Sequence, residues 1–175
     1  MTVTVEIQTE LGTFALALEE AAAPITVANF LAYVDGGFMR DMSAYRIVTL
    51  QNQPAETVHR IEVIQWGWRP SNPALQQPFP AIAHEPTSKS GLRHKHLTLS
   101  MARDAPGTAG GGFFICIGDQ PELDEGGRRN PDGAGFAAFG RIVEGEDVIA
   151  AIFARAEDKE YVDHPVQFLG AQRRG

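Results

Sequence analysis

The chain has 175 residues, 43% hydrophobic and 21% charged, and a formal net charge of −7. One globular domain spanning 1–175 is expected, with a core that needs neither metal nor disulfide, and Cys116, the only cysteine, can form no intrachain bridge. The acidic balance argues against a nucleic-acid-binding face, and no apolar run approaches the ~20 residues of a membrane span. The start Met1–Glu6 alternates polar and apolar residues and lacks the layout of a secretion signal. With the lone cysteine this points to the cytoplasm, or to the periplasm for a mature chain.

Val3, Val5 and Ile7 alternate with polar residues, which predicts a strand. The turn Leu11-Gly12 and the alternation of Phe14, Leu16 and Leu18 predict a second strand and a hairpin. Pro24 suits the first turn of a helix. Val27, Phe30, Leu31 and Val34 follow at helical spacing, and Gly36-Gly37 ends the run. Tyr45–Leu50 and Val58–Gln65 read as strands. Residues 66–96, with Pro70, Pro73, Pro78, Pro80 and Pro86, read as irregular. Strands follow at Leu97–Met101, Phe113–Ile117, Phe136–Ile142 and Pro165–Ala171, with glycine-rich loops at 105–112 and 124–135. Glu144–Phe153 reads as a second helix. Many strands with two widely separated helices exclude a βαβ sheet, which needs a crossover helix between most strands. The expected fold is mainly β, an eight-stranded antiparallel barrel whose closure removes sheet edges, capped by two α-helices.

Several segments, read in order, resemble cyclophilin-type peptidyl-prolyl cis/trans isomerases over nearly the whole chain. They are Pro24–Phe30, Tyr45–Val48, Ile64–Gly67, Ser100–Arg103, Gly111–Cys116, Leu123-Asp124 and Phe139–Gly145. The resemblance implies an enzyme that rotates Xaa-Pro bonds in peptides and client proteins and assists folding. It also implies no cofactor or metal, and a monomer is expected. The chemistry asks for little else. Amide resonance sets a barrier of ~18–20 kcal/mol, and no covalent bond is made or broken. A site that holds the proline ring and stabilises the twisted amide suffices. A guanidinium beside the amide nitrogen does this, because the twisted state regains a lone pair there.

By the resemblance Arg46 is that donor, with Tyr45 beside it, and Gln65 bonds a substrate carbonyl. Arg60 is the rival for Arg46, since His59-Arg60-Ile61 mimics the local motif, but it lies only five residues before Gln65. Phe114 is expected to floor the proline pocket, with Val63, Leu123 and Phe136 around it. Ala102 and Arg103 would run along the groove and offer backbone groups. Strand alternation sends Phe113 and Phe114 to opposite faces, one to the core and one to the groove.

The chain also departs from the family pattern. Glu62 stands where an aromatic pocket wall is usual, so Trp66 or Trp68 would have to supply that surface. Gly112 replaces a bracing glutamine, and residues from about Leu50 to Arg60 are inserted. These departures leave open a proline-peptide-binding module with little activity. His84, His94 and His96 invite a metal reading, but no ligand spacing completes it. Asp124, Glu125 and Asp132 read as solvated loop residues.

Overall fold

The computed structural model describes residues 2–69 and 77–175. Met1, Pro70 and Pro73 of the sequence reading lie outside the described residues. Eight antiparallel strands form a closed barrel. They are β1 (Thr2–Thr9), β2 (Gly12–Glu19), β3 (Ser43–Val48), β4 (Val63–Gly67), β5 (Thr98–Met101), β6 (Gly112–Cys116), β7 (Ala138–Glu144) and β8 (Tyr161–Arg173). The order around the barrel is β1-β2-β7-β5-β6-β4-β3-β8. The two expected helices are present as α1 (Pro24–Asp35) and α3 (Glu146–Phe153), and a single-turn helix, α2 (Thr87–Ser90), lies between them.

Strand alternation divides the apolar side chains into two sets. Phe113, Ile64, Trp66 and Ile115 point inward and join the main core. Phe114, Val63 and Cys116 point outward and form a second, smaller cluster with Val48, Ile61 and Leu123. Helix α1 sets Phe30 against Phe113, Phe139 and Trp66, with centroids 4.9, 5.4 and 6.4 Å away. Burying a ring of this kind contributes about 1.5–3 kcal/mol. No local side chain caps the start of α1. Instead the buried Glu85 accepts hydrogen bonds from the Thr26 backbone N–H and hydroxyl, both at 2.7 Å. A carboxylate there also faces the positive end of the helix dipole.

The predicted strand Val58–Gln65 is shorter than expected and begins only at Val63. Val58 is 81% exposed. Residues 49–62 form a loop held largely by side chains, with backbone turns from the Asn52 N–H to Thr49 O and from the Thr57 N–H to Pro54 O, and one bond from the Ile117 N–H to Glu62 O. Asn52 Nδ2 donates to Ile47 O, and Gln53 Nε2 donates to Thr49 O and Ile61 O, all at 2.8 Å. Strand β8 starts at Tyr161, before the predicted Pro165. Its register with β3 passes from Ala44↔Val166 to Arg46↔Tyr161. Pro165, which has no N–H to give, therefore falls in an unpaired bulge.

Candidate active site

The outward cluster floors a cleft of about 470 Å³. Arg46, Gln65, Val63, Ala102, Arg103, Gly112, Phe114, Leu123 and Phe136 all line it. In a regular strand Tyr45 and Arg46 would face opposite ways. The register between β3 and β4 slips at this point, so both residues lie against Gln65. A bulge re-aims side chains in this way. Gln65 Nε2 donates to the Tyr45 hydroxyl at 2.9 Å, and Arg46 Nη1 donates to Gln65 Oε1 at 2.9 Å. Gln65 keeps one N–H and one lone pair free of these bonds. Burial and the neighbouring Tyr161 push the Tyr45 hydroxyl above its usual pKa, so it is a neutral phenol at pH 7. The Tyr45 and Tyr161 rings stack at 6.2 Å.

Arg46 has a partner that the sequence did not announce. Its Nη2 donates to Glu160 Oε1 at 2.5 Å, and Glu160 immediately precedes β8. The guanidinium is thus gripped from both sides, while its Nε–H is buried without a partner. Arg60, the alternative arginine, is half-buried, does not line the cleft, and donates to the carbonyls of Leu50, Pro54 and Ala55 in the inserted loop.

The placement of Glu62 on the pocket wall is a correction. Its carboxylate accepts from the Leu50 N–H at 3.3 Å, and Ile61, 5% exposed, presents its side chain to the cleft instead. The apolar wall is therefore kept, one residue earlier in the chain. Trp66 does not supply it, being fully buried in the barrel. Arg103 lines the cleft, but its side chain is engaged. It pairs with Asp132 through Nη1 and Nη2, at 2.9 and 3.1 Å, and donates to Gly135 O. Its guanidinium also covers the Phe136 ring at 4.7 Å. Arg103 is thus a strut that fixes the 124–135 loop.

Asp124 is not solvated, contrary to the sequence reading. His94 is buried, and its Nδ1 lies 2.7 Å from Asp124 Oδ1 while its Nε2 lies 2.8 Å from Ser100 Oγ. The His94 ring stacks on Phe114, 6.0 Å away, beneath the cleft floor. The other histidines are also occupied. His84 Nε2 bonds to Ala134 O, and His96 Nδ1 accepts from the Gly118 N–H. Neither His94 nor His96 belongs to a strand, since β5 begins at Thr98. Among the described residues no three His, Cys, Asp or Glu side chains are grouped to hold a metal. Burial pushes the Cys116 thiol far up, so it is a neutral packing group under the floor.

A sequence profile of the cyclophilin type peptidyl-prolyl cis-trans isomerases matches residues 4–171. The chain belongs to the cyclophilin family. This cyclophilin is 34% identical over 167 residues to peptidyl-prolyl cis-trans isomerase cyp18 of Streptomyces antibioticus, covering 94% of this chain and 92% of that one. It is 29% identical to peptidyl-prolyl cis-trans isomerase B of Escherichia coli K12, covering 85% and 82%. In fold it is similar to a cyclophilin type isomerase of Cryptosporidium parvum, with a TM-score of 0.78 at 17% identity, over 100% of this chain and 99% of that one. A second crystal structure of that protein, obtained in the presence of the dipeptide Ala-Pro, gives a TM-score of 0.74 at 18% identity, covering 98% and 99%.

In this cyclophilin Gly112 is not in the left-handed region, so other residues can adopt its backbone. A Cβ there would meet Ala102 Cβ at 3.3 Å and the Tyr45 hydroxyl at 4.0 Å. Gly112→Gln is expected to raise kcat/KM on a short Xaa-Pro peptide by up to about tenfold, the worth of one hydrogen bond. An unchanged rate with a lower melting midpoint would show that the Ala102 contact decides instead.

Sequence reasoning missed Ile61, Glu160, Tyr161 and Arg129. Ile61 sat one place from the residue chosen. The other three carry no local signal, because they reach the cleft through β8 and the 124–135 loop.

Proposed function

We propose that Arg46 is the electrostatic catalyst of Xaa-Pro rotation in this cleft, and that Phe114, Val63, Ile61, Leu123, Ala102 and Phe136 seat the proline ring. Peptidyl-prolyl cis-trans isomerisation is the activity of the family to which the chain belongs. The observation that carries the residue assignment is the double grip on Arg46. With Nη1 on Gln65 and Nη2 on Glu160, the guanidinium is held before a peptide arrives, beside an apolar seat. The guanidinium lines the cleft, and the lone pair that appears on the twisted amide nitrogen is an acceptor that the planar amide lacks. That difference between ground and twisted state is what accelerates rotation.

Tyr45 and Gln65 position the arginine, and the remaining N–H of Gln65 is free for a substrate carbonyl. Gly112, Ala102 and Arg103 contribute the backbone edge along which the peptide runs. The substrates are proline-containing segments of peptides and client proteins, turned over by a monomer. A cytoplasmic setting fits the single, buried cysteine.

One observation favours a second reading. Glu160 offsets the charge of Arg46 and lowers the field at the amide nitrogen, as in a module that binds proline peptides and turns them slowly. Exchange spectroscopy by NMR on a short Ala-Pro peptide with catalytic amounts of protein separates the two. Accelerated cis/trans exchange is the expected result. Peptide shifts on binding without faster exchange would establish the module.

A further inference from the structure

A second arginine faces the same cleft. Arg129, from the 124–135 loop, lines it and is half-buried. Its Nη1 donates to Gln53 Oε1 at 3.0 Å and to His59 O at 3.1 Å, so the head group is fixed by the 49–62 loop. Among the described residues it has no carboxylate within salt-bridge distance. Glu160, the nearest acid to influence it, is committed to Arg46. Burial and the repulsion of Arg46 both weaken its hold on its proton.

A third guanidinium, Arg69, lies over the rings of Tyr45 and Tyr161 at 4.7 and 4.9 Å, and also lacks a carboxylate partner among the described residues. Arg46 and Arg129 thus line the cleft and Arg69 lies over the ring of Tyr161, another lining residue, while among the described residues Glu160 is the one carboxylate paired with any of the three, in a chain whose net charge is −7. The surrounding charges do not cancel this excess. Glu122 is taken by His59 and Arg128, and Asp132 by Arg103. Asp104 also lines the cleft, and among the described residues its carboxylate forms no salt bridge with any of the three guanidinium groups.

We propose that this part of the cleft is a subsite for an acidic side chain next to the proline, and that Arg129 selects it. The inference rests on the isomerase reading of the cleft and narrows its substrate class to Xaa-Pro segments flanked by Asp or Glu. A carboxylate entering here relieves the repulsion between Arg46 and Arg129. It also accepts charge-assisted hydrogen bonds from a fork already held in place. A lysine in the same position meets like charge, so selection works by exclusion as well as attraction. A residue that merely stapled the 49–62 loop to the 124–135 loop would not distinguish these peptides.

The test uses short blocked peptides with Glu, Ala or Lys either before or after the proline. Both kcat/KM from exchange spectroscopy and Kd from chemical-shift titration are measured. Each is read at about 0.01 M salt, where the Debye length is roughly 30 Å, and at about 1 M, where it is roughly 3 Å. At low salt the Glu peptide at one of the two positions is expected to exceed its Ala counterpart about three- to tenfold, with Lys below Ala. The contrast should collapse at high salt. In Arg129→Gln the Glu/Ala ratio should fall to about one whatever the absolute rates, while Arg129→Lys keeps part of it. If Arg129→Gln does not fold, the salt dependence and the Arg129→Lys variant still decide.

Ala peptides turned over with no Glu preference at either position would overturn the subsite and leave the isomerase reading standing. A Glu preference that survives Arg129→Gln would overturn the assignment. Absence of all turnover would sink the isomerase reading, and the Kd contrast would then decide the subsite by itself.

Discussion

Replacing Arg46 with alanine is expected to lower kcat/KM on a short Xaa-Pro peptide by about 10²–10³-fold, the usual cost of removing one preorganised donor. The barrel should remain folded, because Arg46 lies on the outer face of β3 and contributes nothing to the apolar core. Its loss leaves Glu160 without a partner, but that carboxylate reaches solvent and can rehydrate. Arg46→Lys keeps the charge and loses the fork that spans Gln65 and Glu160, so it should restore only a small part of the rate. Arg60→Ala is the control. Arg60 bonds only to loop carbonyls, and its loss should loosen residues 50–55 with little effect on turnover. Exchange spectroscopy on all three variants, with circular dichroism melts, checks this. A silent Arg46→Ala, or an inactive and well-folded Arg60→Ala, would show that the wrong arginine has been chosen.

The largest stability effect is expected at Asp124. Its Oδ1 accepts from both the backbone N–H of His94, at 2.9 Å, and the ring Nδ1, at 2.7 Å. Asp124→Ala strands both donors in a buried site, at a cost of about 1–3 kcal/mol for each. For a chain of this size the two together amount to roughly 10 °C in Tm. The effect should carry to the cleft, because His94 stacks beneath Phe114, and KM should rise as the floor loosens.

The pH dependence has a definite sign. Burial works to raise the Asp124 carboxyl, but the His94 hydrogen bonds and the charge of Arg93 hold it below its usual 3.8. A depressed folded pKa gives stability that is fully present above the unfolded value and is lost as pH falls through the folded one. The acid limb of the urea midpoint should therefore steepen below about pH 4 and be shallower in Asp124→Asn. Superimposable acid limbs would mean that Asp124 does not carry this dependence.

The barrel was legible because its signals are local. Alternation in Val3–Ile7 and Phe14–Leu18, helical spacing in Val27–Val34 and glycine punctuation each follow from a period or a turn requirement. The inserted loop was not legible. Val58 and Ile61 suggested a strand, yet the backbone bonds there are made largely by the side chains of Asn52 and Gln53, and no propensity registers that. Arg46, Val63, Gln65, Gly112 and Phe114 line the cleft, whereas Tyr45 does not and touches it only through Gln65. Tyr45 and Arg46 both reach Gln65 because of a bulge, which alternation alone would deny. Glu62 for Ile61 is a one-residue slip at the end of an insertion, where register has no anchor. Asp124 looked solvated because a Gly-rich loop usually is, and its burial depends on His94, thirty positions earlier.

The place of β8 between β1 and β3 bears on how the protein is made. A nascent chain emerging from the ribosome carries seven of the strands and most of the cleft before β8 exists. Until Tyr161–Arg173 pairs, β1 and β3 each present an open edge, and Glu160, just ahead of β8, has no paired strand to hold it against Arg46. At about 5–20 residues per second, the 13 residues of β8 take roughly one to three seconds to make, and those edges stay bare at least that long. During that interval the unpaired edges of β1 and β3 are templates on which another chain could pair.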